Sequence, residues 1–304
     1  THYCEEQSAA RNKNIRLTIT TNALLLDDDK IKFINEHMEN CVLSMDGRKE
    51  IQNMMRPAPG GHASYEAVKD AILKFVETRQ EGTYYVRGTY TRNNLDFSND
   101  VRHIVSLGIK HVSVEPVVAP DEADHSIRRE DLERIYDEYE KLALYMAQEY
   151  ENGDGFEFFH FSIDLDGGPC VYKRLKGCGV GTEYIAVTPE GDIYPCHQLT
   201  GEKEFLMGNV NNRISSQDAL DKDVVKRFAS LLVPQKKECM KCWARYYCSG
   251  GCPANAYHAT GDLEGIYETG CLIQRKRLEC ALWLKAVRKM NEGSDDLRNG
   301  GSYE

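Results

Sequence analysis

The 304-residue sequence has no apolar run long enough to cross a membrane, and no secretory signal peptide is recognisable in it. These absences predict a cytoplasmic protein without a membrane partner, in a reducing compartment where cysteines stay unpaired. The chain also lacks any long run of lysine and arginine, and its formal net charge is −10. Because such a charge repels nucleic acid, a nucleic-acid-binding function is not expected.

Cysteine, in contrast, is abundant, with 11 in the chain. Seven of them in the C-terminal half follow the pattern C-x12-G-x4-C, then C-x2-C-x5-C-x3-C, then one more: Cys178 and Cys196 with Gly191 between them, Cys239, Cys242, Cys248, Cys252 and Cys271. Thiolates are the ligands of iron–sulfur clusters and structural zinc, and a C-x2-C spacing lets one turn direct two sulfurs at one ion or cluster. The pattern therefore predicts a metal or cluster site.

Zinc is the alternative to iron–sulfur clusters for this pattern. Zinc fingers usually separate two C-x2-C pairs by a longer stretch, whereas the spacing here tightens to x5 and x3. Gly250 and Gly251 also let backbone amides approach sulfur closely, and such amide donors tune a cluster. We therefore favour clusters. Of the four cysteines outside the pattern, Cys4, Cys41 and Cys280 are predicted to be small buried hydrophobic residues, and Cys170 lies just before Cys178.

The first half of the chain alternates strand and helix patterns. Strand-like runs cover residues 16–21, 41–45, 84–90 and 110–118, with amphipathic helical patterns between and after them. Such alternation predicts parallel β/α units, whose active residues lie on loops at the carboxyl ends of the strands. In the second half, strand-like residues 184–188 and 192–196 flank Gly191 and predict a β-hairpin.

The seven-cysteine pattern resembles the SPASM domain, a C-terminal extension of radical S-adenosylmethionine (SAM) enzymes that holds two auxiliary [4Fe-4S] clusters. The β/α units resemble the third to sixth units of the partial (β/α)6 barrel of that superfamily. The resemblance implies an α/β fold with a partial barrel in residues 1–165 and a SPASM domain in residues 166–304. More narrowly, the segments SVEPVVA (113–119), KRLKGCG (173–179), YPCHQ (194–198) and CSGGC (248–252) look like the six-cysteine (SCIFF) peptide maturase.

This resemblance implies a radical reaction on a peptide. In the family, reductive cleavage of SAM gives a 5′-deoxyadenosyl radical that abstracts the α-hydrogen of an acceptor threonine, and a peptide cysteine sulfur then bonds to that carbon. The implied partners are a Cys-rich precursor peptide and an electron donor such as ferredoxin or flavodoxin. An anaerobic sulfatase maturase, which oxidises Cys or Ser to formylglycine, and a non-catalytic iron–sulfur binding module are the alternatives.

The sequence lacks two motifs of the family. The C-x3-C-x2-C motif that binds the SAM-cleaving cluster is absent from the 304 residues, and so is the glycine-rich SAM motif. The expectation is an N-terminally truncated copy whose full-length parent would carry a third cluster. The chain alone is then expected to generate no radical.

Individual residues match family positions. Ser44 and Arg56 match positions that contact SAM, while Arg87, Thr89 and Glu115 are weaker candidates for the barrel mouth. By analogy with SPASM folds, one cluster takes Cys239, Cys242, Cys248 and Cys271. The other takes Cys178, Cys196 and Cys252, with either Cys170 as its fourth ligand or an open iron that a substrate thiolate occupies.

Overall fold

A computed structural model describes residues 1–120, 122–165, 170–212 and 220–299. The chain forms two compact units. The first, which we call the sheet unit, comprises Thr1–Val117, Asp124–Ser162 and the part of the last helix that starts at Glu279; the second, the cysteine unit, comprises Val118–Ala123 and Ile163–Leu278. Within the described residues, none of the helices combines enough length with enough apolar character to span a bilayer.

The sheet unit is built on five parallel strands in the order β1-β2-β3-β4-β5. They are β1 Thr18–Thr21, β2 Asn40–Ser44, β3 Thr83–Tyr90, β4 His111–Pro116 and β5 Glu157–Phe158. Its helices are α1 His2–Arg11, α2 Asp28–His37, α3 Lys49–Met55, α4 Tyr65–Thr78, α5 Phe97–Ser106 and α6 Leu132–Glu151. The four predicted strands and the parallel α/β class are confirmed, whereas the two-residue β5 was not predicted.

One face of this sheet is apolar and buried. Cys41 and Leu43 on β2, and Val112 and Val114 on β4, are buried at every second position, as expected for residues that point to the same face of a sheet. The helices contribute the facing side chains Ile72, Phe75, Val101, Ile104, Ile135, Tyr139 and Leu142. Burial of each large apolar side chain contributes ~1.5–3 kcal/mol, so this layer stabilises the unit.

The cysteine unit is made of short elements. Its strands are β6 Ala186–Val187, β7 Asp192–Tyr194 and β8 Gly208–Asn209, and its helices are α7 Val171–Lys176, α8 Lys222–Ala229, α9 Lys237–Met240, α10 Arg245–Cys248, α11 Pro253–Thr260 and the start of α12 Glu268–Asn299. β6 and β7 pair antiparallel around Gly191, which has φ +91°, so the predicted hairpin is confirmed. A small apolar core around Leu199, Phe205 and Phe228 supports it.

The three cysteines that are predicted to be small buried hydrophobic residues do not all behave as expected. Cys41 and Cys280 are buried as predicted. The prediction for Cys4 is wrong, because Cys4 is half-buried on α1, a helix that buries none of its residues. Burial raises the pKa of the Cys41 thiol to about 11, which keeps it protonated at neutral pH.

Candidate functional site

Four of the predicted ligands surround one cavity in the cysteine unit. Cys239, Cys242, Cys248 and Cys271 all line a space of about 440 Å³, which we call the four-cysteine cavity. Short helices and turns position three of these cysteines. Cys239 lies on α9, and Cys242 lies in the turn that follows, where its amide donates to the Cys239 carbonyl at 3.0 Å. Cys248 is the last residue of α10. Cys271 lies in the first turn of α12. The local fold therefore gathers sulfurs that are up to 32 residues apart in sequence.

The thiols of this cavity influence one another. Burial, together with the nearby thiols of Cys248, Cys239 and Cys242, raises the pKa of Cys271 to about 11. Burial likewise raises the pKa of Cys248, while the amides of Gly251 and Gly250 hydrogen-bond to its sulfur and oppose the shift. Such amides would stabilise negative charge on the sulfur, which is the state a metal or cluster requires.

Arg245 adds a cationic side chain to the four-cysteine cavity. Its Nη1 donates to the carbonyl of Cys242 at 3.0 Å, and its guanidinium lies over the ring of Tyr246 at 4.6 Å from the centroid. Its Nε is buried and has no hydrogen-bond partner among the described residues. A buried donor without an acceptor is costly. A cluster in this cavity would supply anionic sulfides as acceptors, so the residues present fit such a group.

A second group of thiols consists of Cys178, Cys196 and Cys252, which we call the three-cysteine group. Desolvation raises the pKa of Cys196, and the thiols of Cys252 and Cys178 contribute to the shift. Desolvation also raises the pKa of Cys252, and the nearby thiol of Cys178 adds to this shift. Amides again face the sulfurs: those of Gln198 and Leu199 bond Cys196, and those of Ala254 and Asn255 bond Cys252.

Cys170 stands apart from this group in its surroundings. It is exposed at the N-terminus of α7, and the electrostatic neighbour identified for its thiol is Lys173. The preceding segment of the predicted motif, residues 166–169, lies outside the described residues. Its role as a fourth ligand therefore stays a prediction, and so does the open-iron alternative.

The cavity that the four cysteines share bears on the choice between zinc and clusters. No group of three or more His, Cys, Asp or Glu side chains in the described ranges is arranged to hold a single metal ion. A zinc ion would draw four sulfurs into one tight tetrahedron with Zn–S distances of about 2.3 Å. A cubane instead places irons and sulfides between its ligands. Four thiols around a shared cavity suit the larger group better.

A second candidate site lies at the carboxyl ends of the parallel strands. Ser44 ends β2, and its strand register pairs it with Arg87 on β3, while Thr89 pairs with Glu115 on β4. Arg87 Nη2 and Glu115 Oε1 form an ion pair at 2.6 Å. These four predicted residues thus occupy neighbouring strand ends on the face that is not buried against helices.

The centre of this site is Asp46, which is not among the site residues predicted from the sequence. Asp46 is buried; its Oδ1 accepts from the amide of Thr89 at 2.9 Å and its Oδ2 from Arg56 Nε at 2.8 Å. Gln52 Oε1 accepts from the Asp46 amide at 2.9 Å. Asp46 therefore orients Arg56. Its position two residues after a strand end was the available signal.

A second ion-pair network that the sequence reasoning missed supports the same loop. Arg48 Nε lies 2.8 Å from Asp100 Oδ1, and Arg48 Nη2 lies 2.9 Å from Asp96 Oδ1. Gly47, with φ +134°, has no room for a side chain, since a Cβ there would overlap Asp100. Asp100 is fully buried, and burial raises its pKa while Arg48 opposes the shift. The network holds the loop after β2 against α5.

Comparisons with known proteins agree with the cysteine pattern. Residues 178–243 match the SPASM family, described as an iron–sulfur cluster-binding domain. The cysteine-type anaerobic sulfatase-maturating enzyme of Clostridium perfringens is 24% identical over 260 residues, covering 82% of this chain and 68% of that protein. The serine-type enzyme of Klebsiella aerogenes is 22% identical (78% and 58%), and the subtilosin biosynthesis protein AlbA of Bacillus subtilis is 23% identical (80% and 52%).

Solved structures show the same fold. Native anSMEcpe with bound AdoMet and the Cp18Cys peptide superposes with a TM-score of 0.76 at 19% identity, over 95% of this chain and 81% of that one. Native anSMEcpe with bound AdoMet gives 0.77 at 20% identity, over 95% and 80%. The chain therefore carries a SPASM iron–sulfur domain, shares the fold of radical SAM/SPASM proteins and is homologous to sulfatase-maturating enzymes and AlbA.

Proposed function

We propose that this chain acts in a radical SAM reaction that forms Cys sulfur-to-α-carbon thioether cross-links in a ribosomally made, Cys-rich peptide in the cytoplasm. The observation that carries the proposal is the gathering of seven spaced cysteines into two groups, one of them around a single cavity. The SPASM match and the homologous peptide-related proteins support it.

The cysteine unit would serve electron transfer. Each cross-link removes two hydrogens from the peptide, and when bound, iron–sulfur clusters accept and donate single electrons. Cys239, Cys242, Cys248 and Cys271 would hold one cluster, and Arg245 would donate to it through the Nε that now lacks an acceptor. Cys178, Cys196 and Cys252 would hold the other, with amide donors at the last two. A ferredoxin or flavodoxin would supply electrons.

The strand ends of the sheet unit would hold SAM. Arg56 donates from its Nε to Asp46 Oδ2. Within the described residues, the two terminal nitrogens of its guanidinium make no hydrogen bond. They form the planar fork that suits a carboxylate, which SAM carries on its methionine portion. Ser44, the last residue of β2, offers a hydroxyl as a further donor. Together, Arg56 and Ser44 would orient SAM at the strand ends.

The second candidate function is that of a sulfatase maturase, which converts Cys or Ser of a peptide to formylglycine. Its support is the homology to sulfatase-maturating enzymes of both the cysteine and the serine type. Both reactions would use the same cysteine unit. They differ in the peptide that is bound, so substrate preference is the property that separates them.

The cofactor is tested by anaerobic reconstitution with iron and sulfide. The chain should become brown and hold about eight iron and eight acid-labile sulfide per molecule, because each cubane contains four of each. Stoichiometric zinc without sulfide would contradict the proposal and favour a zinc-binding protein. Bovine serum albumin taken through the same procedure controls for adventitious iron sulfide.

The substrate is tested by fluorescence anisotropy with labelled peptides on the cluster-loaded chain. Tighter binding of a Cys-rich precursor-type peptide than of a sulfatase active-site peptide supports thioether formation, and the reverse order supports the maturase. Equal, unmeasurable binding of both would contradict a peptide-modifying role and leave the iron–sulfur binding module.

The 304-residue chain alone should be inactive toward SAM. Its 11 cysteines include no C-x3-C-x2-C, and cleavage of SAM needs an iron with an open position that binds the amino and carboxylate groups. Incubation with SAM, dithionite and a Cys-rich peptide should therefore yield no 5′-deoxyadenosine and no peptide mass loss of two hydrogens. Turnover above a cluster-free control would show that an iron of the cysteine unit cleaves SAM itself.

A further inference from the structure

Lys236 is an unusual side chain in the cysteine unit because it is buried, with 7% of its surface exposed. Its Nζ lies 3.3 Å from the carbonyl oxygen of Gly250 and 3.5 Å from that of Leu263. Within the described part of the chain, no carboxylate forms an ion pair with it. Two carbonyl dipoles are thus its polar partners.

Burial of the Lys236 ammonium is destabilising unless an opposite charge lies nearby. Removing an ammonium from water costs several kcal/mol unless an opposite charge compensates, and long lysine side chains normally extend to solvent. Lys236 remains inside, so a negative charge close to it would account for its position.

The groups able to carry that negative charge are cysteines of both sites. The ammonium of Lys236 is an electrostatic neighbour of Cys239, a member of the four-cysteine cavity, and of Cys252, a member of the three-cysteine group. One lysine therefore interacts electrostatically with one sulfur from each of the two predicted cluster sites.

The backbone contacts of Lys236 have the same dual character. Lys236 immediately precedes α9, which carries Cys239 three residues later. Gly250, whose carbonyl it bonds, lies between Cys248 of one site and Cys252 of the other, and has φ +83°. The ammonium is thus attached to the short segment that connects the two sets of ligands.

We propose that Lys236 is a positioning residue for both clusters: its buried ammonium is their shared countercharge and raises both reduction potentials together. This inference rests on the proposed clusters. Reduction adds an electron to an already anionic group, and a fixed cation within the low-dielectric interior stabilises the reduced form. A countercharge common to both sites would keep their potentials matched, which favours electron passage between them in either direction.

The test compares three substitutions in the cluster-loaded full chain. Lys236→Arg keeps the charge, Lys236→Gln keeps a donor without the charge, and Lys236→Met removes both. Lys241→Gln is the matched control, because Lys241 is an exposed lysine next to Cys242. Each protein is titrated with dithionite under potentiometric control, and both clusters are followed by electron paramagnetic resonance.

We expect Lys236→Gln and Lys236→Met to lower the reduced-to-oxidised ratio of both clusters about tenfold at fixed potential, which corresponds to ~59 mV for a one-electron couple. Lys236→Arg and Lys241→Gln should change it less than twofold. Unchanged potentials in the uncharged variants with full iron content, or a shift in one cluster alone, would overturn the proposal.

Loss of iron in the variants is also informative. If Lys236→Gln and Lys236→Met lose iron while Lys236→Arg retains it, the charge is needed to hold the clusters, which supports the proposal. If all three lose iron equally, the residue has only a packing role and the proposal is overturned. Absence of clusters from the unmodified chain would instead contradict the proposed function, so the two failures are distinguishable.

Discussion

The two units of this chain hold their candidate sites together in opposite ways. At the strand ends of the sheet unit, the charged side chains form ion pairs with one another. Asp46 pairs with Arg56, and Arg48 pairs with Asp96 and the buried Asp100. In the cysteine unit, Arg245 Nε has no acceptor among the described residues, and Lys236 is buried without a carboxylate. The first site is organised by the protein itself, whereas the second calls for an anionic group to complete it.

The two units also differ in the length of their secondary-structure elements. The sheet unit has a parallel sheet and helices of up to 20 residues, with a continuous apolar layer. Around the cysteines, α9 and α10 have four residues each, and the adjoining Gly250 and Gly251 adopt positive φ. Short helices gain little from their own hydrogen bonds. Cofactor binding and folding are therefore expected to be coupled in the cysteine unit alone.

The largest expected effect is the response to cluster removal. Chelation of iron should increase amide hydrogen exchange of the cysteine unit about a hundredfold or more, equivalent to the loss of ~2.7 kcal/mol of ligand stabilisation, and leave β1 to β4 unchanged. Hydrogen-exchange mass spectrometry of loaded and iron-free protein measures both units in one experiment. Equal loss of protection in both would show that the contrast between them is wrong.

Ligand substitutions sharpen the same comparison by removing one cluster at a time. Cys242→Ala should lower iron content from about eight to about four per chain by removing the cluster of the four-cysteine cavity, and Cys196→Ala should remove the other. Cys280→Ala is the matched control, because Cys280 is buried on α12 and should leave iron unchanged. Iron loss in Cys280→Ala equal to that in Cys242→Ala would break the assignment of ligands.

In the sheet unit, the corresponding experiment removes a charge partner. Arg48→Met leaves the buried Asp100 without its cation and should destabilise the unit by about 3 kcal/mol, while iron content stays unchanged. Burial already raises the pKa of Asp100, and loss of Arg48 raises it further. The folded variant therefore holds the Asp100 proton more tightly than the unfolded chain does, so its stability falls as pH rises.

Chemical denaturation of Arg48→Met at pH 5 and pH 8 checks both parts of this prediction. The deficit relative to the unmodified protein should be larger at pH 8, where Asp100 would have to ionise without a partner. Lys49→Met is a suitable control, since Lys49 makes an exposed ion pair with Glu66 on the next helix. A deficit as small as that of Lys49→Met would mean that the Arg48 network does not support the loop.

The sequence predicted different parts of the molecule for different physical reasons. β1 to β4 and the hairpin at Gly191 could be predicted because period and turn chemistry are local. The two-residue β5 carries no periodic signal. The pairing of Arg48 with Asp100 joins positions 52 residues apart and depends on how α5 packs, so it leaves no local pattern. No local sequence signal distinguishes Lys236 from an exposed lysine, because its burial depends on tertiary packing.

The smallest expected effect concerns Cys170, the residue on which two models of the second cluster differ. As a fourth ligand, Cys170 could be removed at a cost of at most one iron per chain, because its position is exposed and a solvent molecule or an added thiol can take its place, whereas Cys242 lies in the four-cysteine cavity. Cys170→Ala should then alter one electron paramagnetic resonance signal and make it sensitive to added thiol, which would occupy the vacated iron. If an iron is open natively, the unmodified chain should show that sensitivity and the variant should match it. A variant that matches a thiol-insensitive parent would contradict both models, and would mean that the cysteine unit completes its second cluster with a ligand other than cysteine.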